Sequence, residues 1–294
     1  MDDELLFAVE LSDPSGEFEP ASELLNALDV EFSSFFDREN CTVRHTVYSL
    51  TQEEAEQLRE VLAGELKNWR EFGVELEMGE IFTIAKPDWA EAWKKYFKPI
   101  EISEKLLIRP TWLDDLPRPG QKLLQIDPGM SFGTGQHATT NYCLKCIDRF
   151  SGEKKSLLDA GCGSGILAIA GALLGYEGID AFDFDPEAVN VAEENAGLNQ
   201  VAGKIGFSVG NAADWPGRPE KYDLVCANIL GHLLIAFRFN IVNWVSPDGV
   251  LVLSGILDRD FDKVAAAFGE VGMYEMERFR DKDWTSGIFA FEKR

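Results

Sequence analysis

Basic residues are what this 294-residue chain has too few of. Its 28 lysines and arginines stand against 51 aspartates and glutamates, a formal net charge of −23. A surface that tracks phosphates needs lysine and arginine, so direct nucleic-acid binding is not expected. The acid excess has two readings, solubility alone or steering toward a basic protein partner. Long hydrophobic runs are also missing. No apolar stretch reaches the length that spans a bilayer, and the opening MDDELLFAVEL is acidic where a secretory signal is basic. A cytoplasmic protein with no membrane association is the expectation, with a monomer as the default. Cysteine is scarce, five residues in no framework spacing, which reads as reduced thiols. Cys143 and Cys146 form one C-x-x-C with no second pair, so packing is expected there rather than zinc or redox chemistry.

What is present is a globular composition, 45% hydrophobic and 27% charged, enough apolar material for two cores. The first eighty-five residues alternate strand, helix, strand, strand, helix, strand. In that order 5–11, 32–36, 41–50 and 74–84 read as strands, and 19–29 and 51–72 as helices. Thr51 and Glu54 make a capping box. The order βαββαβ implies a ferredoxin-like sandwich over 1–85. His45 sits in a strand without nearby ligands and reads as structural. Residues 86–100 predict a linker helix, with Trp89, Trp93 and Phe97 on one stripe. That stripe packs on a domain face or lines a site. Lys94, Lys95 and Lys98 there read as a solvated basic face. Over 101–294 short apolar strands alternate with helices, which means βαβ units and a doubly wound, mostly parallel α/β sheet.

Two glycine-rich stretches lie close together in this second region. DPGMSFGTGQHATT (127–140) reads as neither helix nor strand, and LLDAGCGSGILAIA follows about twenty residues later. In the second, Gly161, Gly163 and Gly165 separate a strand from a helix and let a ligand touch backbone. The dinucleotide pattern fails because Ile166 stands where a third glycine is required, and no Gly-Lys-Ser/Thr follows. Asp159 precedes the loop, and Asp183 closes the next strand, where an acid suits a ribose diol. A further carboxylate repels phosphate but suits an ammonium or sulfonium. S-adenosylmethionine carries a ribose, an ammonium and a sulfonium without phosphate. Its carboxylate is expected at the helix start near Gly165. Asn228, at the end of the fourth strand of the series, either accepts an amine N–H while the amine lone pair faces the methyl donor, or caps the next helix. His137 is either a proton acceptor or an anchor for its loop.

These residues resemble the class I S-adenosylmethionine-dependent methyltransferases, through LLDAGCGSG, DAFDFDP and ANIL. With DPGMSFGTGQHATT and PDWAEAWKKYFKP the chain resembles the ribosomal protein L11 methyltransferases, the PrmA family. The resemblance implies a class I methyltransferase domain behind a small α+β substrate-recognition domain. It implies cofactor contacts at Thr140, Gly161, Gly163, Asp183 and Asn228, with Asn228 also catalytic. It further implies N-methylation of lysine side chains and an amino-terminal amine on the basic ribosomal protein of the large-subunit stalk base. The alternative is a methyltransferase of the same class acting on another protein lysine or a small molecule. The family's GTHPTT is GQHATT here, which bears on loop rigidity and substrate choice.

Overall fold

Alternating burial builds the first of two compact units, Met1–Phe97 and Lys98–Arg294. The computed structural model describes residues 5–15, 21–22, 24–25, 28, 30–37, 42–71, 73–85, 98–127 and 137–291. In the first unit β1 (Leu5–Asp13), β2 (Phe32–Asp37), β3 (Thr42–Ser49) and β4 (Glu77–Ala85) pair antiparallel in the order β2-β3-β1-β4. Helical backbone at 21, 22, 24 and 25 and helix α1 (Gln52–Glu71) complete the ferredoxin-like arrangement. In β3, Val43, His45 and Val47 are buried and their neighbours are not, the period-two pattern of a strand with one covered face. Leu62, Leu66 and Trp69, spaced for one helix face, close over Val9, Leu11 and Val47. The capping box forms as expected: Glu54 N–H donates to Thr51 Oγ1 at 3.2 Å and Thr51 N–H to Glu54 Oε2 at 3.1 Å.

The last strand begins at Glu77, later than expected. Gly73 takes a positive φ of 81°, and Val74 N–H turns back to the Trp69 carbonyl at 3.1 Å. Buried Val74 and Leu76 therefore finish the helix end before the strand begins. His45 is buried and hydrogen-bonded to Ser34 Oγ at 2.7 Å. No group of side chains able to hold a metal occurs among the described residues. The expected linker helix, with Trp89, Trp93, Phe97, Lys94 and Lys95, lies outside the described residues; Lys98 is exposed.

The second unit opens with a feature absent from the sequence expectations. Strands β5 (Ile100–Glu101), β6 (Leu106–Arg109) and β7 (Lys122–Gln125) form a separate small sheet. Helix α2 (Ala138–Phe150) leads into the main series: β8 (Ser156–Ala160), α3 (Ile166–Leu173), β9 (Gly178–Asp183), α4 (Pro186–Leu198), β10 (Ile205–Val209), β11 (Tyr222–Asn228), α5 (Gly231–Trp244), β12 (Val245–Leu257), α6 (Asp258–Gly269), β13 (Met273–Asp281) and β14 (Trp284–Phe291). The strand order is β10-β9-β8-β11-β12-β14-β13, with the first five parallel and β14 antiparallel to both neighbours. Leu157, Cys226 and Val252 enter one core, and the adjacent Leu158, Val225 and Leu253 enter the other. The sheet is thus covered on both faces, as parallel strands require. Strand order reverses between β8 and β11, so the crevice for a ligand opens past their carboxyl ends. Among the described residues no helix is long and apolar enough to cross a membrane.

Candidate functional site

Three turns at the carboxyl edge of the large sheet build the site. After β8, Gly161, Gly163 and Gly165 all adopt positive φ, at 77°, 50° and 76°. Gly161 and Cys162 N–H groups both donate to the Phe182 carbonyl, at 2.9 and 3.0 Å, which ties this loop to β9. A Cβ on Gly161 would lie 2.5 Å from Ile229 Cγ2, and one on Gly165 2.8 Å from Ala192 Cβ. Glycine is needed at both for space as well as for φ.

The two carboxylates expected here differ. Asp159 is fully buried, and its Oδ2 accepts the Ala168 N–H at 3.1 Å. Burial raises its carboxyl to about 7, against the Ala168 hydrogen bond and with the help of the Asp183 charge. Asp183 accepts two backbone N–H groups, from Gly163 at 2.9 Å and from Asp185 at 3.1 Å. Each oxygen keeps a lone pair beyond these bonds. In the first turn of α3, near the helix start expected to receive the cofactor's carboxylate, the Ala168 N–H is taken by Asp159.

Asn228 ends β11. The helix after it is capped at Leu230 with no side-chain bond, so the capping alternative for Asn228 does not hold. Its Nδ2 donates instead to Thr140 Oγ1 at 3.4 Å. Its Oδ1 is buried and, among the described residues, has no donor. Thr140 itself corrects one expectation. The stretch 127–140 is not irregular throughout, because 138–140 form the first turn of α2 and Thr140 is buried on it. Residues 128–136 lie outside the described residues. His137 is the residue before that helix. Its Nδ1 pairs with Thr139 Oγ1 at 2.7 Å and its ring meets the edge of Trp284 at 5.1 Å, so it anchors the helix start. Cys143 and Cys146, on the same helix, are buried free thiols, and burial raises both.

Thr140, Asp159, Gly161, Gly163, Asp183 and Asn228 line one cavity of about 390 Å³, within the range of small-molecule sites. Sequence reasoning missed its remaining wall: Phe184, Asn211, Ala212, Ile229, Leu233 and Phe237. The first four directly follow the strand series at β9, β10 and β11, and that place after a carboxyl end was the available signal. Leu233 and Phe237 are one turn apart on α5 and look like any core pair.

Comparison with known proteins agrees with this geometry. The family model for "Ribosomal protein L11 methyltransferase (PrmA)" matches residues 18–292. A ribosomal protein L11 methyltransferase from Geotalea uraniireducens is 42% identical over 226 residues, 73% of this chain and 71% of that protein. One from Clostridium botulinum (strain Alaska E43 / Type E3) is 34% identical over 239 residues, 81% and 75% of the two chains. The crystal structure of a ribosomal protein L11 methylase from Lactobacillus delbrueckii subsp. bulgaricus is 32% identical with a TM-score of 0.62, covering 67% of this chain and 100% of that one. A family match over most of the length, on a doubly wound sheet with the glycine loop and both acids in one cavity, has one consequence: the chain belongs to the ribosomal protein L11 methyltransferase family.

Proposed function

We propose that this protein methylates amino groups of ribosomal protein L11, lysine side chains and the amino-terminal amine, with S-adenosylmethionine as donor. One observation carries the reading: the buried Asn228 Oδ1 has no donor among the described residues, beside a hydroxyl on Thr140 and two carboxylates. A desolvated acceptor without a partner costs about 1–3 kcal/mol. An amine N–H brought by the substrate removes that cost. The cofactor, when bound, supplies a methyl group on a sulfonium.

The chain's own residues have separable tasks in this reading. The remaining lone pairs of Asp183 accept the ribose hydroxyls. Asp159 balances the cofactor's positive end, and Gly161 and Gly163 admit it close to backbone. Phe184, Asn211 and Ala212, on the wall of the same cavity, would hold the adenine. Asn228 Oδ1 accepts the acceptor N–H and Thr140 holds the other end of the carboxamide. The amine must be neutral to react. For a lysine near 10.4 that costs about 4–5 kcal/mol at pH 7, and for an α-amine near 8 about 1 kcal/mol. Desolvation beside a cation lowers both values, so no strong base is needed.

Residues 1–85 would dock the basic substrate, the 86–100 segment would link, and 101–294 would carry the chemistry. The net charge of −23 favours a basic protein partner and disfavours nucleic acid. We assign the enzyme to the cytoplasm, as a monomer acting on the stalk-base protein. Incubation with methyl-labelled cofactor and purified large-subunit proteins tests the substrate. Label confined to L11 supports the reading; label on other proteins, or on none while the cofactor binds, overturns it.

A further inference from the structure

We infer that the Ser254–Gly255 bulge of β12 is a positioning element for methyl transfer, setting where Asn228 Oδ1 points. The inference rests on the reading of Asn228 given above. Strand β12 runs beside β11 with Asn228 opposite Ser254, and its register against β14 breaks between Leu253 and Ile256. The break puts Gly255 beside the carboxamide oxygen and Ser254 against the helix that holds its nitrogen.

At the oxygen end stands Gly255, with φ of 75°. A Cβ there would lie 3.0 Å from Asn228 Oδ1 and 2.9 Å from the Ile229 carbonyl. Among the described residues the oxygen has no hydrogen bond to hold it, and it occupies space that a side chain at 255 would contest. Ser254, fully buried, reaches the nitrogen end only through α2. Its Oγ donates to the Thr139 carbonyl at 3.1 Å and pairs with Ser286 Oγ at 2.7 Å. That bond holds the first turn of α2, from which Thr140 Oγ1 accepts the Asn228 Nδ2–H. From the opposite neighbour, β8, Gly161 lets Ile229 Cγ2 settle over the loop. Asn228 and Ile229 thus occupy space that side chains at two glycines of positive φ would fill, Gly255 on β12 and Gly161 just past β8. A hydrogen-bond acceptor that must meet a moving amine, and has no donor among the described residues, depends on packing for its aim.

The test uses the full-length protein. Gly255→Ala is expected to slow single-turnover methyl transfer to L11 at least tenfold, while calorimetric affinity for S-adenosylhomocysteine changes less than threefold. In cofactor-free protein its Asn228 side-chain amide resonances should move. In an Asn228→Ala background Gly255→Ala should add less than a further twofold. Additive losses would show that Gly255 does not act through Asn228 and would overturn the inference. Should Gly255→Ala not fold, Ser254→Ala must show the same split between rate and affinity, and the same loss of effect without Asn228. If Asn228→Ala itself keeps the wild-type rate, the role proposed for Asn228 fails. If only the bulge variants keep it, that role stands and the positioning inference fails alone.

Discussion

The four-stranded and the seven-stranded sheets of this molecule have different chemical consequences. In the four-stranded sheet every pairing is antiparallel, so successive strand ends point to opposite edges. Its buried polar side chains among the described residues are Asp13 and His45, and His45 Nδ1 pairs with Ser34 Oγ. In the seven-stranded sheet β8, β9 and β11 run parallel and release their chains at one edge. Asp159, Asp183 and Asn228 meet there although 69 residues separate the first from the last. A parallel sheet concentrates chemistry because its connections return each strand to the same side. An antiparallel sheet of this size builds a face instead, the one proposed above to dock the basic substrate.

Four experiments sharpen or break that contrast. The largest expected effect is structural and confined to the first unit. Leu62 is fully buried against Val9, Leu11 and Val47, so Leu62→Ala should destabilise that unit by about 2–5 kcal/mol. Cofactor affinity should stay within twofold; a larger change would mean that the units do not divide the work as proposed. Next, Asp183→Ala removes the acceptor of the Gly163 and Asp185 N–H groups. A loss of about 1.5–3 kcal/mol in cofactor affinity, some tenfold to hundredfold in calorimetric Kd, is expected. Gly165→Ala places a Cβ at positive φ against Ala192 and should lower stability by about 1–3 kcal/mol. Its thermal midpoint should fall without moving the first unit's transition.

The smallest effect is a dependence on pH. The Asp159 carboxyl is raised to about 7, and only its ionised form favours a cationic ligand. Cofactor affinity should therefore rise about tenfold from pH 6 to 8 and level off above. The stability of the free protein moves the other way. Its folded-state value lies above that of the unfolded chain, so the native state holds the extra proton between about pH 4 and 7. This group's contribution to stability falls across that window as pH rises. Asp159→Asn should flatten both dependences, and a titration that stays pH-dependent in that variant would reassign them.

Much of this was readable from residue order. The alternation of strand and helix, the capping box at Thr51 and Glu54, and the acid at the end of β9 all follow from local rules. The small sheet β5–β7 was not, because strands of two to four residues carry no period to detect. The start of β12 is hard to read for a related reason. Pro247, Asp248 and Gly249 look like a turn, yet Val245 before them already pairs with Tyr222 across a register shift. Asn211 and Phe184 went unnoticed because their importance lies in which strand ends are neighbours, and that depends on sheet order.

Sequence alone determined the element types, the two-part organisation, the excess of acid and the identity of the loop that a phosphate-free ligand would need. Each is a local or compositional property, set by residues within a turn or two of one another. Only the tertiary structure decided that Asn228 Oδ1 would be buried with no donor among the described residues, that burial would raise the Asp159 carboxyl, and that a bulge in β12 would face the Asn228 carboxamide. Those depend on which strands lie side by side and how tightly water is excluded between them, and long-range packing sets both.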